Sequence, residues 1–193
     1  DITSLGDYAK QRIEEFKETT GRELTMEIEP GTFVVANSGH IITRIIDKKF
    51  TNEMNFLIVD GGMELLTRPL LYGSEHPIYI VRKDGTLLSS EYDQTPTTGL
   101  KSFGIVGRCC ESGDSVRLDN DGNIVPVMIV EPEIGDFVVI GGTGAYSESM
   151  SPENYNSHRK PGAVMKTTSN ELVLIRKKQV RSQLTENELD VAL

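Results

Sequence analysis

Short β-branched runs divided by glycine-bearing turns constrain this chain more than any other feature. The runs are Phe33 to Val35, Ile41 to Ile46, Phe56 to Val59, Ile78 to Val81, Val127 to Val130, Phe137 to Ile140 and Leu172 to Ile175. Between them lie Asp60-Gly-Gly, Asp84-Gly, Asp121-Gly-Asn and Gly141-Gly-Thr-Gly. Runs of this length and composition read as strands, and Asx-Gly pairs supply the positive φ that tight turns need. No long helical period interrupts them until Thr185-Glu-Asn-Glu-Leu189, which predicts one short terminal helix. The expectation is a mostly-β fold, a barrel or sandwich, from about residue 40 onward. The polar stretch from Arg82 to Lys101, with Pro96 in it, reads as a long surface excursion.

The first part of the chain has a different character. Residues 3–20 place Leu5, Tyr8, Ile13 and Phe16 loosely on one helical face, and Gly21 is a natural stop. Leu24-Thr-Met-Glu-Ile28 then alternates as a strand does and ends at Glu29-Pro-Gly31. Helix, link, strand and polar turn together predict one unit of an α/β layer.

Charge and cysteine content narrow the function. Twenty basic against 29 acidic residues leave a net charge of −9, the wrong sign for nucleic-acid binding. No apolar run approaches the length of a membrane span. Two adjacent cysteines, Cys109 and Cys110, have no third to pair with, so free thiols and a reducing, cytoplasmic setting are expected. The chain opens at Asp1 rather than methionine, which suggests a piece of something longer.

Several familiar motifs fail on spacing. Asp119-Asn-Asp-Gly-Asn123 has its glycine too early for a calcium loop and reads as a hairpin turn. Gly141-Gly-Thr-Gly144 lacks dinucleotide-site spacing. His40, His76 and His158 share no ligand spacing with the cysteines, so no metal ligands are assigned.

Other clusters leave two readings open. Arg68-Pro-Leu-Leu-Tyr72 puts a guanidinium and a phenol on one face of a helical turn. They could clamp one anion, or form a surface ion pair and a packed tyrosine. Cys110-Glu-Ser-Gly-Asp114 surrounds a thiol with carboxylates, which suits a proton-donating thiol better than a thiolate nucleophile; the alternative is a buried cysteine before a turn. Tyr146 follows a glycine turn and could equally be a core residue. Glu29 sits where a strand meets a turn, as ligand-holding acids do at barrel mouths, or on a plain surface turn.

Taken in order, these pieces resemble the group IV pyridoxal-phosphate-dependent amino-acid decarboxylases. The resemblance rests on Glu29-Pro-Gly31, Asp60-Gly-Gly-Met63, Arg68-Pro-Leu-Leu-Tyr72-Gly, Gly107-Arg-Cys-Cys110-Glu-Ser-Gly-Asp114, Gly135-Asp136, Gly144-Ala-Tyr146 and Asn154-Tyr-Asn156. It covers almost the whole chain. It implies an alanine-racemase-like fold, with residues 1–38 closing a (β/α)8 barrel that binds pyridoxal 5′-phosphate (PLP). Residues 39–193 would then be the β-rich C-terminal domain with its short terminal helix. None of the ten lysines matches the family's Schiff-base lysine, so that lysine and the phosphate loop are expected in an N-terminal barrel portion outside this chain.

The resemblance also implies roles. Glu29 matches the acid that pairs with the cofactor's ring nitrogen, and Gly31 the amide near its phosphate. The family usually has arginine next; here Thr32 offers a hydroxyl and no charge. Tyr146 matches a tyrosine beside the phosphate. Arg68 and Tyr72 match residues that hold a substrate's distal carboxylate, and Glu111 the one that holds its distal ammonium. Cys110 matches the thiol that reprotonates Cα. Cys110 and Glu111 act across a homodimer interface in this family. That set of partners implies decarboxylation of meso-diaminopimelate to L-lysine and CO2. A decarboxylase of ornithine, lysine, arginine or a polyamine precursor is the alternative within the fold; a non-catalytic regulatory paralogue, or a free-standing β-domain binding module, lies outside it.

Overall fold

A computed structural model of the chain describes residues 2–189. The chain divides into two compact units, residues 1–31 and 32–193.

The first unit is a single helix, α1 (Ile2–Thr20), followed by an irregular segment. Gly21 ends the helix as expected: its φ is +70°, and its N–H donates 2.8 Å to the Lys17 carbonyl. α1 buries no residue. The alternation at Leu24–Ile28 does not become a strand, because residues 22–30 join no ladder. An alternating segment is extended only as far as a neighbouring strand pairs with it, and none is offered here.

A short helix, α2 (Gly31–Val35), begins at the last residue of the first unit and is followed by a 3-10 turn (Ala36–Ser38). The Phe33–Val35 run is therefore helical, contrary to its β-branched composition. Its carbonyls turn inward to local partners: Ser38 Oγ donates to Val35 O at 2.7 Å. The strands follow: β1 (Ile41–Phe50), β2 (Asn55–Val59), a short helix α3 (Arg68–Tyr72), β3 (Ile78–Val81), β4 (Leu87–Ser90), β5 (Leu100–Val106), β6 (Val127–Val130) and β7 (Phe137–Ile140). A separate hairpin, β8 (Ala163–Lys166) and β9 (Leu172–Arg176), comes last.

The first seven strands form one sheet in the order β4-β3-β7-β1-β2-β5-β6. β1 belongs to two ladders. Ile41–Arg44 pairs antiparallel with β7, then a bulge between Ile45 and Asp47 passes the strand on to β2. β2 and β5 run parallel; the other neighbours are antiparallel. The two edges, β4 and β6, meet, and Val130 N–H donates 3.4 Å to Ser89 Oγ. The sheet is thus a nearly closed barrel, which leaves few unpaired edge groups.

Period-two burial drives the closure. Ile45, Leu57, Val59, Ile78, Ile80, Phe103, Ile105, Val127, Ile129, Val138 and Ile140 point inward as one cluster. Each such side chain contributes about 1.5–3 kcal/mol on burial. The expected strand runs from Ile41 onward all fall in strands. β4, β5 and β8 are not among the expected runs; β4 lies within Arg82–Lys101, which looks polar. Asp84-Gly85 makes a tight turn there, and Ser89 and Ser90 are buried at the barrel seam through hydroxyl hydrogen bonds. The predicted terminal helix is absent: Arg181–Leu184 is a 3-10 turn, Thr185–Leu189 is not helical, and the rest lies outside the described residues.

Among the described residues no helix is long and apolar enough to cross a membrane.

Candidate active site

Two neighbouring motifs of the sequence turn out to be one structure. The Asp60-Gly-Gly-Met63 turn follows β2, and the Gly107–Asp114 loop follows β5, its parallel neighbour. Asp114 is buried between them. Its Oδ1 accepts the Met63 N–H at 2.7 Å and its Oδ2 the Cys109 N–H at 2.6 Å. A Cβ on Gly62 or Gly107 would overlap this carboxylate, so both glycines are walls of its socket. Burial raises the Asp114 pKa, and the two N–H donors oppose that shift.

The loop displays Cys110 and Glu111. Cys110 is exposed and Cys109 half-buried; both are free thiols. Glu111 accepts hydrogen bonds from Ser112 Oγ at 3.1 Å and from the Tyr155 hydroxyl at 3.2 Å. These donors hold its carboxyl below the usual range, Ser112 more than Tyr155, and Glu111 in turn raises the Tyr155 phenol. The carboxylates that crowd a thiol crowd Cys109. Burial, then Glu64 and Asp114, push its pKa up to about 12.

Arg68 and Tyr72 come from α3. Pro69 starts that helical turn, and Gly73 ends it at φ +58°, so the two side chains share a face. The Arg68 guanidinium lies 5.0 Å from the Tyr72 ring centroid and 5.8 Å from the Tyr146 ring centroid. Among the described residues no carboxylate pairs with Arg68; its Nη1 meets only Met150 Sδ, at 3.5 Å. The surface ion pair that the sequence left open is therefore absent. α3 touches the Gly107–Asp114 loop directly: a Cβ on Gly113 would meet Leu70 Cδ1 at 2.6 Å.

Tyr146 is half exposed, so it is not a core residue. Its φ of +56° is unusual for tyrosine and marks a position held by its surroundings. Those surroundings are the Gly141–Gly144 loop, where Thr143 N–H donates 3.0 Å to Gly39 O and Gly144 N–H 2.8 Å to Ala36 O. A Cβ on Gly144 would overlap the Val35 carbonyl. Tyr146 also lines a cleft of about 740 Å³ with Glu64, Thr143, His158 and Lys160.

The structure thus brings Arg68, Tyr72 and Tyr146 together, and sets Cys110 and Glu111 on an adjoining loop. Glu29 and Gly31 belong to the first unit, where Gly31 N–H donates 2.9 Å to Glu29 O. Thr32 opens the second unit as an exposed residue of α2. Sequence reasoning missed Tyr155 as the partner of Glu111, although Asn154-Tyr-Asn156 stood among the quoted motifs. It also missed Glu64, which no spacing rule flags.

This chain belongs to the pyridoxal-dependent decarboxylases through their C-terminal sheet domain, whose family model matches residues 32–144. Its curated relatives in that class include diaminopimelate decarboxylases. The enzyme of Buchnera aphidicola subspecies Baizongia pistaciae is 39% identical over 170 residues, and that of Escherichia coli K12 is 37% identical over 169. Each alignment covers 88% of this chain and 38% of the relative. Among solved structures, a diaminopimelate decarboxylase matches with a TM-score of 0.76 at 34% identity, over 93% of this chain and 40% of that one. The Helicobacter pylori enzyme complexed with L-lysine matches with a TM-score of 0.67 at 31% identity, over 87% and 36%. The chain therefore spans about two fifths of the length of the relatives it matches.

Proposed function

We propose that this chain is the C-terminal portion of a PLP-dependent carboxy-lyase that converts meso-diaminopimelate to L-lysine and CO2. One observation carries the reading. Arg68 and Glu111 have opposite charges and lie on touching segments, and among the described residues neither is in an ion pair. In a homodimer with shared sites, an unneutralised Arg68 from one protomer and an unneutralised Glu111 from the other supply the two opposite charges that a zwitterion needs. The far end of diaminopimelate is an amino-acid head with one carboxylate and one ammonium. Substrates that lack the distal carboxylate would strand the Arg68 charge.

The donor set suits the cofactor and its substrate. PLP, when bound, withdraws electrons from Cα so that CO2 can leave. Glu29 would hold the ring nitrogen's proton, while Gly31, Thr32 and Tyr146 would bind the phosphate. Residues 1–38 are then the end of the barrel, and 39–193 the sheet domain. Arg68 and Tyr72 orient the substrate by its distal carboxylate, and Glu111, steadied by Tyr155, takes the ammonium. The Cys110 thiol delivers its proton to Cα after CO2 departs. Cys110 and Glu111 are exposed on their loop, as groups serving a partner subunit's site in a homodimer must be. The N-terminal barrel portion supplies the Schiff-base lysine, and two free thiols fit a cytoplasmic enzyme.

The test is CO2 release by the intact enzyme with PLP. Turnover of meso-diaminopimelate, with none of ornithine or L-lysine, is the expected result. Equal use of ornithine overturns the substrate assignment, and absence of turnover with every amino acid favours a non-catalytic paralogue.

A further inference from the structure

Two residues of the 740 Å³ cleft wall, Glu64 and His158, form with Cys109 a cluster that the decarboxylase reading does not use. Glu64, Cys109 and His158 come from three separate segments, and their ligand-type atoms all lie within 4.8 Å of one another. Cys109 Sγ is 3.8 Å from Glu64 Oε2. Tetrahedral coordination of zinc would put a sulfur and an oxygen ligand about 3.5 Å apart, and an oxygen and a nitrogen about 3.3 Å. The sulfur and oxygen are nearly there, and the ligand nitrogen of the half-buried His158 lies within 4.8 Å of both.

Glu64 gives the second, independent indication. Its side chain is only 4% exposed, yet Oε1 has no hydrogen-bond partner. The nearest cation is Arg108, whose Nε stands 3.4 Å away and whose side chain is 34% exposed. One partly exposed ion pair, with no hydrogen-bond donor on Oε1, leaves a buried carboxylate able to take a second positive partner.

The supporting groups are also in place. Gly62 N–H fixes Glu64 Oε2 at 2.8 Å, and Asp114 fixes the Cys109 backbone at 2.6 Å. His158 is aimed by an unusual run: Asn154, Asn156 and Ser157 all have positive φ. The Asn154 side chain then donates 2.9 Å to the His158 carbonyl, and His158 N–H donates 3.1 Å to Tyr155 O. Three non-glycine residues in that conformation are costly, and such backbone strain tends to cluster where a residue must be positioned. Orientation of ligands by outer hydrogen bonds is usual at metal centres.

We propose that Glu64, Cys109 and His158 bind a divalent transition cation of the zinc class, with water completing the coordination. On binding, Cys109 releases its proton to solvent and a sulfur–metal bond forms; nothing is oxidised or reduced. A set of one thiolate, one imidazole and one carboxylate favours zinc over calcium or magnesium. This inference is independent of the reaction assigned above.

The intact protein, reduced and stripped with chelator, is titrated with zinc chloride against a chromophoric chelator. One zinc per chain with sub-micromolar dissociation is expected. Cobalt(II) in its place should give thiolate-to-metal charge-transfer absorption. Cys109→Ser should abolish that band and weaken zinc binding at least tenfold. His158→Gln should weaken binding at least tenfold with the band retained, and Cys110→Ser should leave both unchanged. Both ligand variants alter half-buried side chains, and their melting curves report whether they fold. The site is refuted by lack of stoichiometric zinc at micromolar concentration. It is equally refuted by wild-type affinity in Cys109→Ser and His158→Gln, or by a cobalt band that follows Cys110.

Discussion

Asp114 holds Cys109 by its backbone: the Cys109 N–H donates 2.6 Å to Asp114 Oδ2, while Oδ1 takes the Met63 N–H from the facing turn. One carboxylate therefore sets the geometry of the loop that displays Cys110 and Glu111. Asp114→Ala removes two charge-assisted hydrogen bonds and should cost about 2–4 kcal/mol in stability. Gly62→Ala, which forces a methyl into the same socket, should cost about 1–3 kcal/mol. Denaturant titration of both variants measures this, and unchanged midpoints would remove Asp114 from its organising role.

The two neighbouring thiols should react very differently. Cys109 is pushed up to about 12, chiefly by burial, and Cys110 is exposed. Near pH 8 only about one in ten thousand Cys109 thiols is ionised. Brief alkylation with iodoacetamide followed by peptide mapping should label Cys110 and spare Cys109.

His76 should make the protein acid-sensitive. Burial lowers its pKa below 6.5, and the nearby Arg68 and Arg117 charges lower it further, against the hydrogen bonds at Gly141 and Gly142. A depressed folded-state pKa means that the unfolded chain takes up the proton first as pH falls. The stability contribution is complete above pH 6.5 and is lost as pH drops through the folded value. His76→Asn, whose amide can still donate to Gly141 O, should flatten the fall in melting temperature below pH 6.5. Parallel curves for the two proteins would exclude His76 as the titrating group.

Arg68→Lys should not behave as a conservative change. An ammonium keeps the charge but loses the planar fork and the stacking between Tyr72 and Tyr146. On the proposed reaction, the KM for diaminopimelate should rise about tenfold, a loss of about 1.4 kcal/mol, with PLP affinity unchanged. Equal loss of both would indicate a folding defect instead.

The barrel was legible because its strands announce themselves: Ile41 onward, Phe56–Val59, Ile78–Val81 and Phe137–Ile140 are short runs rich in β-branched residues. Leu87–Ser90 did not, since buried serines look like loop until their partners are known. Phe33–Val35 and Leu24–Ile28 misled in the opposite sense, because propensity cannot say whether a neighbouring strand exists. Among the site residues, Arg68 and Tyr72 could be read as one face from their four-residue spacing. The cluster of Glu64, Cys109 and His158 could not, because its members are 45 and 49 positions apart in the chain, and Glu64 and Cys109 meet only because β2 and β5 pair in parallel.

The double membership of β1 has a consequence for how the protein is made. Its first half pairs with β7, nearly a hundred residues later. At about 5–20 residues per second, a ribosome needs on the order of 5–20 s to deliver that partner. Throughout that interval Ile41–Arg44 has no sheet to join, and the apolar strand is open to chaperones or to other nascent chains. Proteolysis of stalled nascent chains should find β1 protected only once residue 140 has left the exit tunnel, which makes the fold hostage to its last barrel strand.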